Sequence, residues 1–194
     1  MIQANLDNIF TLKEFNRNIR VQHENAHGEG YCDIHDAIFK YMKDCETYKE
    51  IGVNQGGTAS AGILTNPKKV ELIDTDLSKY NKHLRPIAEG YCKLKKIELK
   101  TLEISSDDRR SVTGRYDVML IDSYHKAWYL RKELSLHAEH IDKYIILHDT
   151  NFHPNGLWKM AIRFCKENPS WKVLEEGTKN VGYMVMERSK WNRM

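Results

Sequence analysis

Residues Tyr48 to Ser60 read Y-K-E-I-G-V-N-Q-G-G-T-A-S. Glu50-Ile51-Gly52-Val53 has the character of the end of a buried strand. Gly52, Gly56 and Gly57 then permit a tight backbone turn, and Thr58 to Leu64 can open a short helix. Strand, glycine turn and helix N-terminus together form a nucleotide cradle. The spacing is E-x-G-x-x-x-G-G, which differs from the dinucleotide fingerprint G-x-G-x-x-G. It also lacks the Gly-Lys-Ser/Thr ending of a triphosphate loop. The pattern therefore points away from both pyrophosphate and triphosphate ligands.

Downstream of the cradle, Asn66-Pro67 ends the short helix, and Val70 to Asp74 reads as a second strand terminating in an acid. Asp74 follows the glycines by about 20 residues, where the end of the second strand of a β-α-β unit lies beside the first and a carboxylate can accept from a ribose diol. Asp76 can take that role instead, and an Asp at a strand end also opens turns. A helix through Leu77 to about Tyr91, irregular around Pro86, leads to a third strand, Ile97 to Ile104. That strand ends in Ser105-Ser106-Asp107-Asp108, hydroxyls and acids suited to an adenine edge.

Tyr116 to Asp122 is a short apolar run closed by an acid, as buried parallel strands are. A helix with Ala127, Leu130, Leu134, Ala138 and Ile141 on one face follows, then a fifth strand, Tyr144 to Leu147, ending in His148-Asp149-Thr150. A helix from Gly156 to Glu167 and two strands, Trp171 to Glu175 and Val181 to Met186, complete the chain, the last pair close enough to form a hairpin. This alternation implies an α/β fold with a mainly parallel sheet, helices on both faces and an antiparallel end. In such a sheet ligands bind beyond the carboxyl ends of the strands, where Gly52 to Gly57, Asp74, Ser105, Asp122 and Asp149 all fall.

Upstream of the cradle, Asp33 is read as the N-cap of a helix from Ile34 to about Cys45, with Ile34, Ile38, Tyr41, Met42 and Cys45 at helical spacing. Residues 1–30 read as polar and irregular. His23-Glu24-Asn25-Ala26-His27 matches H-E-x-x-H, the helix-borne zinc signature of metallopeptidases. Gly28 and Gly30 follow at once, and the flanks offer no apolar stripe, so the segment is read as a polar loop or lid rather than a zinc site. The expected organisation is an N-terminal extension or lid over residues 1–32 and a ligand-binding domain over residues 33–194.

With 194 residues, 41% hydrophobic and 29% charged, the chain can build one sizeable core. Its apolar runs fall short of the ~18 residues of a membrane span, and the N-terminus has no secretory pattern, so a cytoplasmic location is expected. Cys32, Cys45, Cys92 and Cys165 are scattered and read as reduced thiols. A net charge of +3 with no concentrated basic run gives no argument for nucleic acid.

From about Asp33 to Arg188 the chain resembles a class I S-adenosylmethionine-dependent methyltransferase. The cradle at Glu50 to Thr58, the order of elements and the closing hairpin carry the likeness. Leu72-Ile73-Asp74-Thr75-Asp76-Leu77-Ser78, Leu120-Ile121-Asp122-Ser123-Tyr124-His125 and Leu147-His148-Asp149-Thr150 resemble the branch holding small-molecule O-methyltransferases and cephalosporin-hydroxylase-like proteins. Ser123 and Tyr124 stand where that branch has Gly-Asp, and Ile141-Asp142-Lys143 where it has Pro-Gly-Gly. The resemblance implies a Rossmann-like sheet of seven strands and S-adenosylmethionine as cofactor. Glu50, Gly52, Gly56, Gly57, Thr58, Asp74, Asp76, Ser105, Ser106 and Asp122 are the candidate cofactor residues.

Methyl transfer to a hydroxyl needs alignment of the acceptor and removal of a proton, by a base or with the help of a bound divalent cation. His125 is the candidate base, with Asp122 and Asp149 beside it, and Asp122, Asp149 and Asn151 are candidate oxygen ligands for a cation such as Mg²⁺. The cation-dependent O-methyltransferases have Asp-Asn after the fifth strand, whereas this chain has Asp149-Thr150-Asn151. Tyr124, Trp128, Phe152 and Trp158 could stack on adenine or on a flat acceptor, or serve as core.

The leading expectation is O-methylation of a small-molecule hydroxyl. Its competitors are a methyltransferase acting on nucleic acid or protein, and a cofactor-binding protein without turnover. The oligomeric state has no signature.

Overall fold

The computed structural model describes residue 6 and residues 9–151 and 156–189. The chain runs α1 (Leu12–His27), α2 (Asp33–Tyr41), β1 (Thr47–Ile51), α3 (Gly57–Leu64), β2 (Lys69–Asp74), α4 (Ser78–His83), α5 (Arg85–Lys95), β3 (Glu98–Glu103), β4 (Tyr116–Ile121), α6 (Ala127–His137), β5 (Ile141–His148), α7 (Leu157–Glu167), β6 (Trp171–Gly177) and β7 (Tyr183–Arg188). The seven strands form one sheet in the order β3-β2-β1-β4-β5-β7-β6. The first five are parallel, and β7 inserts antiparallel between β5 and β6. Strand order reverses between β1 and β4, and loops leaving the carboxyl ends there diverge to opposite faces and open a crevice.

Strand periodicity explains why the sheet carries helices on both faces. Along β4, Val118 and Leu120 belong to one core and Met119 and Ile121 to the other, and along β5 Ile146 is divided in the same way from Ile145 and Leu147. Successive side chains alternate faces, so a run apolar at every position needs cover on both sides. The first face is covered by α1, α2, α3 and α5, the second by α6 and α7.

Four expectations are corrected. Residues 12–27 are helical rather than irregular, because Thr11 caps the helix, its Oγ1 accepting the Glu14 N–H at 3.2 Å, and Leu12, Phe15 and Ile19 form a buried stripe. That stripe lies upstream of H-E-x-x-H, which occupies the last turns before Gly28, at φ +98°, ends the helix. Asp33 is the first residue of α2, whose cap is Cys32 with no side-chain hydrogen bond, and α2 stops at Tyr41. Ile141 opens β5 instead of closing the preceding helix, and its buried side chain lies across from Tyr116 of β4. The helix expected through Leu77 to Tyr91 is divided at Leu84, just before Pro86, and the second piece continues to Lys95.

A buried polar junction ties α1 to the domain. Asn16 Nδ2 lies 3.1 Å from His35 Nδ1 on α2 and donates to Ser60 Oγ on α3 at 2.8 Å. Burial pushes the His35 imidazole down to about 3, which keeps it neutral and able to accept here. Among the described residues no helix is long and apolar enough to cross a membrane.

Candidate active site

The loop after β1 is shaped by three residues with positive φ: Gly52 at +87°, Asn54 at +47° and Gly56 at +89°. A Cβ on Gly52 would stand 1.9 Å from the Asp122 carbonyl oxygen, so the glycine loop passes directly against the end of β4. A Cβ on Gly56 would meet Leu84 at 2.4 Å. Gly57 opens α3 beneath His23, which hydrogen-bonds Gln55 and whose basicity burial lowers.

Asp74, at the end of β2, holds this loop. Its Oδ2 accepts the N–H groups of Val53 at 2.7 Å and Asn54 at 2.9 Å, and its Oδ1 accepts the Asp76 N–H at 3.2 Å. Asp76 instead closes the turn that leads into α4, accepting the Ser78 N–H at 2.8 Å, and lines neither chamber described below.

Glu50 is placed differently from the sequence expectation. It is fully buried below the loop, where it accepts from Tyr48 Oη at 2.6 Å and Thr58 Oγ1 at 2.7 Å, and neither chamber reaches it. Burial pushes its carboxyl up to about 8, against the opposing pull of those two hydroxyls. Between pH 5 and 8 the folded state therefore keeps a proton that the unfolded chain has lost, and folding stability falls as pH rises through that window. Glu50→Gln is expected to flatten this slope and raise the melting temperature at pH 8 relative to wild type. Thermal melts of both proteins from pH 5 to 8 check it, and parallel curves would refute it.

At the ends of β4 and β5 the two carboxylates and two histidines come together. His125 Nε2 lies 3.1 Å from Asp122 Oδ1 and 3.0 Å from Asp149 Oδ2, and His148 Nδ1 lies 3.1 Å from Asp122 Oδ2. Hydrogen bonds to the two carboxylates push His125 up to about 10, so it is an imidazolium at neutral pH. The same histidines hold the Asp122 carboxyl far below its ordinary range despite its burial, and His148 is raised despite its own. Asp149 adopts φ +55°, an uncommon conformation for a residue other than glycine, and its buried Oδ1 has no hydrogen-bond partner among the described residues, His148 Nδ1 standing 3.6 Å away. Ligand atoms of Asp122, His148 and Asp149 all lie within 4.8 Å of one another. Asn151 lies apart from them. Its amide donates to the Thr178 carbonyl at 2.8 Å on the hairpin side.

Two chambers meet at Gly52, Asn54, Tyr31 and Asp122. The first, about 390 Å³, runs over the ends of β2, β3 and β4 and is lined by Asp74, Ser106, Tyr129 and Asp149 among others. Ser106 Oγ and Ser123 Oγ both donate to Glu133, each at 2.6 Å, which ties the loops after β3 and β4 to α6. Ser105 Oγ lies 2.9 Å from Tyr129 Oη and donates to Asp107, outside the chamber lining. The second chamber, about 280 Å³, lies between the glycine loop and the last turns of α1. Of the aromatic residues singled out in the sequence, Tyr124 lines the first chamber, Trp128 packs edge-on against it, and Trp158 donates to Glu176. Phe152 lies outside the described residues.

Tyr31 carries no mark of a site in the sequence, and His23 is marked there only by the H-E-x-x-H match. Tyr31 stacks on His27 at 4.3 Å between centroids and meets His148 edge-on at 5.5 Å. Nothing local signals this. It depends on α1 packing across the sheet and on Asn180, whose Nδ2 donates to the His27 carbonyl at 2.8 Å and so ties the turn after α1 to the hairpin.

No family model matches the sequence, and no curated protein matches it. Solved structures do. An O-methyltransferase from Bacillus cereus in complex with SAH superposes with a TM-score of 0.60 at 13% identity, covering 92% of this chain and 90% of that one. TomG from Streptomyces achromogenes, an O-methyltransferase involved in tomaymycin synthesis and solved with SAM, gives 0.57 at 12% identity over 92% and 89%. The ribosomal protein L11 methylase of Lactobacillus delbrueckii subsp. bulgaricus gives 0.56 at 14% identity over 82% and 77%. The chain thus has the Rossmann-like fold of class I S-adenosylmethionine-dependent methyltransferases. Since that fold serves both small-molecule and protein acceptors, it does not select between them.

Proposed function

We propose that this chain is an S-adenosylmethionine-dependent methyltransferase that methylates the oxygen of a small-molecule hydroxyl. The observation that carries this reading is the cluster of Asp122, His125, His148 and Asp149 against Gly52, where the glycine loop and the ends of β4 and β5 converge. The adenosine half of the cofactor fits the first chamber, with Asp74 toward the ribose and Ser106 and Tyr129 toward the base. Gly52 and Asp122, where the chambers join, would then face the sulfur and its methyl group.

In the transfer, the acceptor oxygen forms a bond to the methyl carbon as the carbon–sulfur bond breaks and sulfur keeps the electron pair. The hydroxyl proton passes to the imidazole of His125, held in line by Asp122 and Asp149. His125 must first lose the proton that its two carboxylates stabilise, so kcat/KM is governed by an alkaline limb. α1 acts as a fixed wall of the site, since its first half is core and only its last turns reach the second chamber.

Two carboxylates and an imidazole, with one buried carboxylate oxygen that no described residue hydrogen-bonds, fit a divalent cation held by Asp122, His148 and Asp149. When bound, such an ion would lower the pKa of the acceptor hydroxyl.

The test is calorimetry with S-adenosylhomocysteine. Wild type is expected to bind it stoichiometrically. Asp74→Ala should weaken binding by on the order of 1.5–3 kcal/mol, the value of one hydrogen bond to a charged group. Absence of binding to wild type would remove the methyltransferase reading.

A further inference from the structure

One flank of α6 is left open. The connection from β3 to β4 folds as a single 3₁₀ turn, Arg109–Ser111, instead of a full helix, so α6 packs on α7 along one side and borders this loop along the other. Leu130, Glu133, Leu134 and His137 of α6 are buried, while Trp128, Arg131, Lys132 and Ser135 are exposed. Between the exposed side and the loop lies a groove of about 440 Å³, to which the loop contributes Asp107 and Arg109. Its lining shares no residue with either chamber of the candidate active site.

The charge of the groove points to an anion. Arg109, Arg131 and Lys132 stand with a single lining carboxylate, Asp107. Lys132 Nζ lies 3.4 Å from Asp107 and Arg131 lies 4.0 Å from Glu167, both at exposed positions, and Arg109 makes no ion pair with a described residue. Exposed pairs of this kind contribute little, so an incoming anion can replace them at small loss. Three cations against one carboxylate suit a phosphomonoester, which carries about 1.5 to 2 negative charges at neutral pH.

The aromatic wall points to a flat ring on the same ligand. Trp128 is 56% exposed and is braced by edge-on contacts with Tyr124 at 6.1 Å and Tyr129 at 5.4 Å between centroids. Lys132 Nζ sits over its ring at 5.2 Å. A braced, exposed indole is a stacking platform for a nucleobase. The volume falls in the range of small-molecule sites, whereas a nucleic-acid strand engages a track of cations several nucleotides long.

We propose that this groove is a second ligand site, separate from the methyl-transfer site, and that it takes a nucleoside 5′-monophosphate. The base stacks on Trp128 and the phosphomonoester sits among Arg109, Arg131 and Lys132, with the Ser135 hydroxyl as a further donor. The site goes beyond the methyl-transfer reading and does not depend on it.

The experiment titrates guanosine 5′-monophosphate, guanosine, inorganic phosphate and the dinucleotide GpG without a terminal phosphate into the full chain. The protein is first saturated with S-adenosylhomocysteine, and binding is read by calorimetry. The monophosphate is expected to bind at one site, at least about tenfold more tightly than any of the other three. Arg109→Ala should weaken it about tenfold, the loss of one charged hydrogen bond, with melting temperature and S-adenosylhomocysteine affinity unchanged. Trp128→Ala should weaken it by a similar factor through loss of stacking. Equal binding of inorganic phosphate would mean an adventitious ion only, and equal binding of guanosine would mean no phosphate subsite. Tighter binding of GpG would give the groove to a nucleic-acid strand, and displacement of S-adenosylhomocysteine would place the nucleotide in the first chamber. Any of these, or unchanged affinity in both variants, would overturn the proposal. Failure of wild type to bind S-adenosylhomocysteine removes the methyltransferase reading alone, and the same titration is then read on the protein without it.

Discussion

Gly52→Ala is expected to unfold the site and to abolish binding of S-adenosylhomocysteine. The φ of +87° disfavours any side chain, and the new Cβ would sit 1.9 Å from the Asp122 carbonyl oxygen and 2.9 Å from the Ser123 nitrogen. Neither neighbour is the flexible end of a side chain, so the strain must be relieved by separating the glycine loop from the end of β4. Strained backbone and overpacking together cost on the order of 3 kcal/mol or more, a large share of a typical domain's stability. Gly90→Ala is the control. It lies inside α5, where a Cβ would meet nothing within 4 Å, and it is expected to stabilise by about 0.5–1 kcal/mol through helix propensity. Urea unfolding of the two variants should therefore move in opposite directions. A Gly52→Ala protein with wild-type stability and cofactor affinity would mean that the loop does not press on β4 as described.

His125→Ala is expected to lower turnover by about 10² to 10⁴-fold, the range for loss of a general base, while S-adenosylhomocysteine affinity stays near wild type. The wild-type pH profile supplies the second half of the test. With His125 raised to about 10 by Asp122 and Asp149, kcat/KM should climb through the alkaline range. Asp149→Asn removes one of the two carboxylates that stabilise the imidazolium, so the limb should shift to lower pH. The linked stability has the matching sign. A histidine whose folded pKa lies above its unfolded value of about 6.5 stabilises most below that value, and its contribution is lost as pH rises toward 10. If His125→Ala keeps wild-type turnover, or Asp149→Asn leaves the pH profile where it was, the proton goes elsewhere.

Sequence features and the finished site separate cleanly at Glu50, Asp76, Ser105 and Asn151. All four are polar groups at strand ends or in loops beside the cradle, and nothing in one dimension distinguishes a group that faces the crevice from one that closes a turn. Glu50 points beneath the loop because alternate residues of β1 face opposite sides of the sheet, and its neighbours Tyr48 and Thr58 take up its oxygens. Asp76 is consumed by the start of α4, Ser105 by Asp107 and Tyr129, and Asn151 by the hairpin turn. His148, one residue before Asp149, takes the position beside Asp122 that Asn151 does not reach.

The fold can be read from the chain because its determinants are local and periodic. Apolar runs of strand length alternate with stretches of helical spacing, and Gly52 and Gly56 mark a turn that other residues adopt only under strain. That Asp74, Asp122 and Asp149 lie along one edge also follows, since every parallel strand ends at the same side of the sheet. The helix at residues 12–27 escapes a reading of the sequence because its buried stripe precedes the conspicuous H-E-x-x-H segment. Its value as a wall of the site depends on Asn16, His35 and Ser60, contributed by three separate helices. Tertiary structure alone decided which polar groups remain open to a ligand and which satisfy one another. It also decided that His125 is charged at neutral pH, because a pKa depends on the carboxylates brought within 3.1 Å and not on the residues adjacent in the chain.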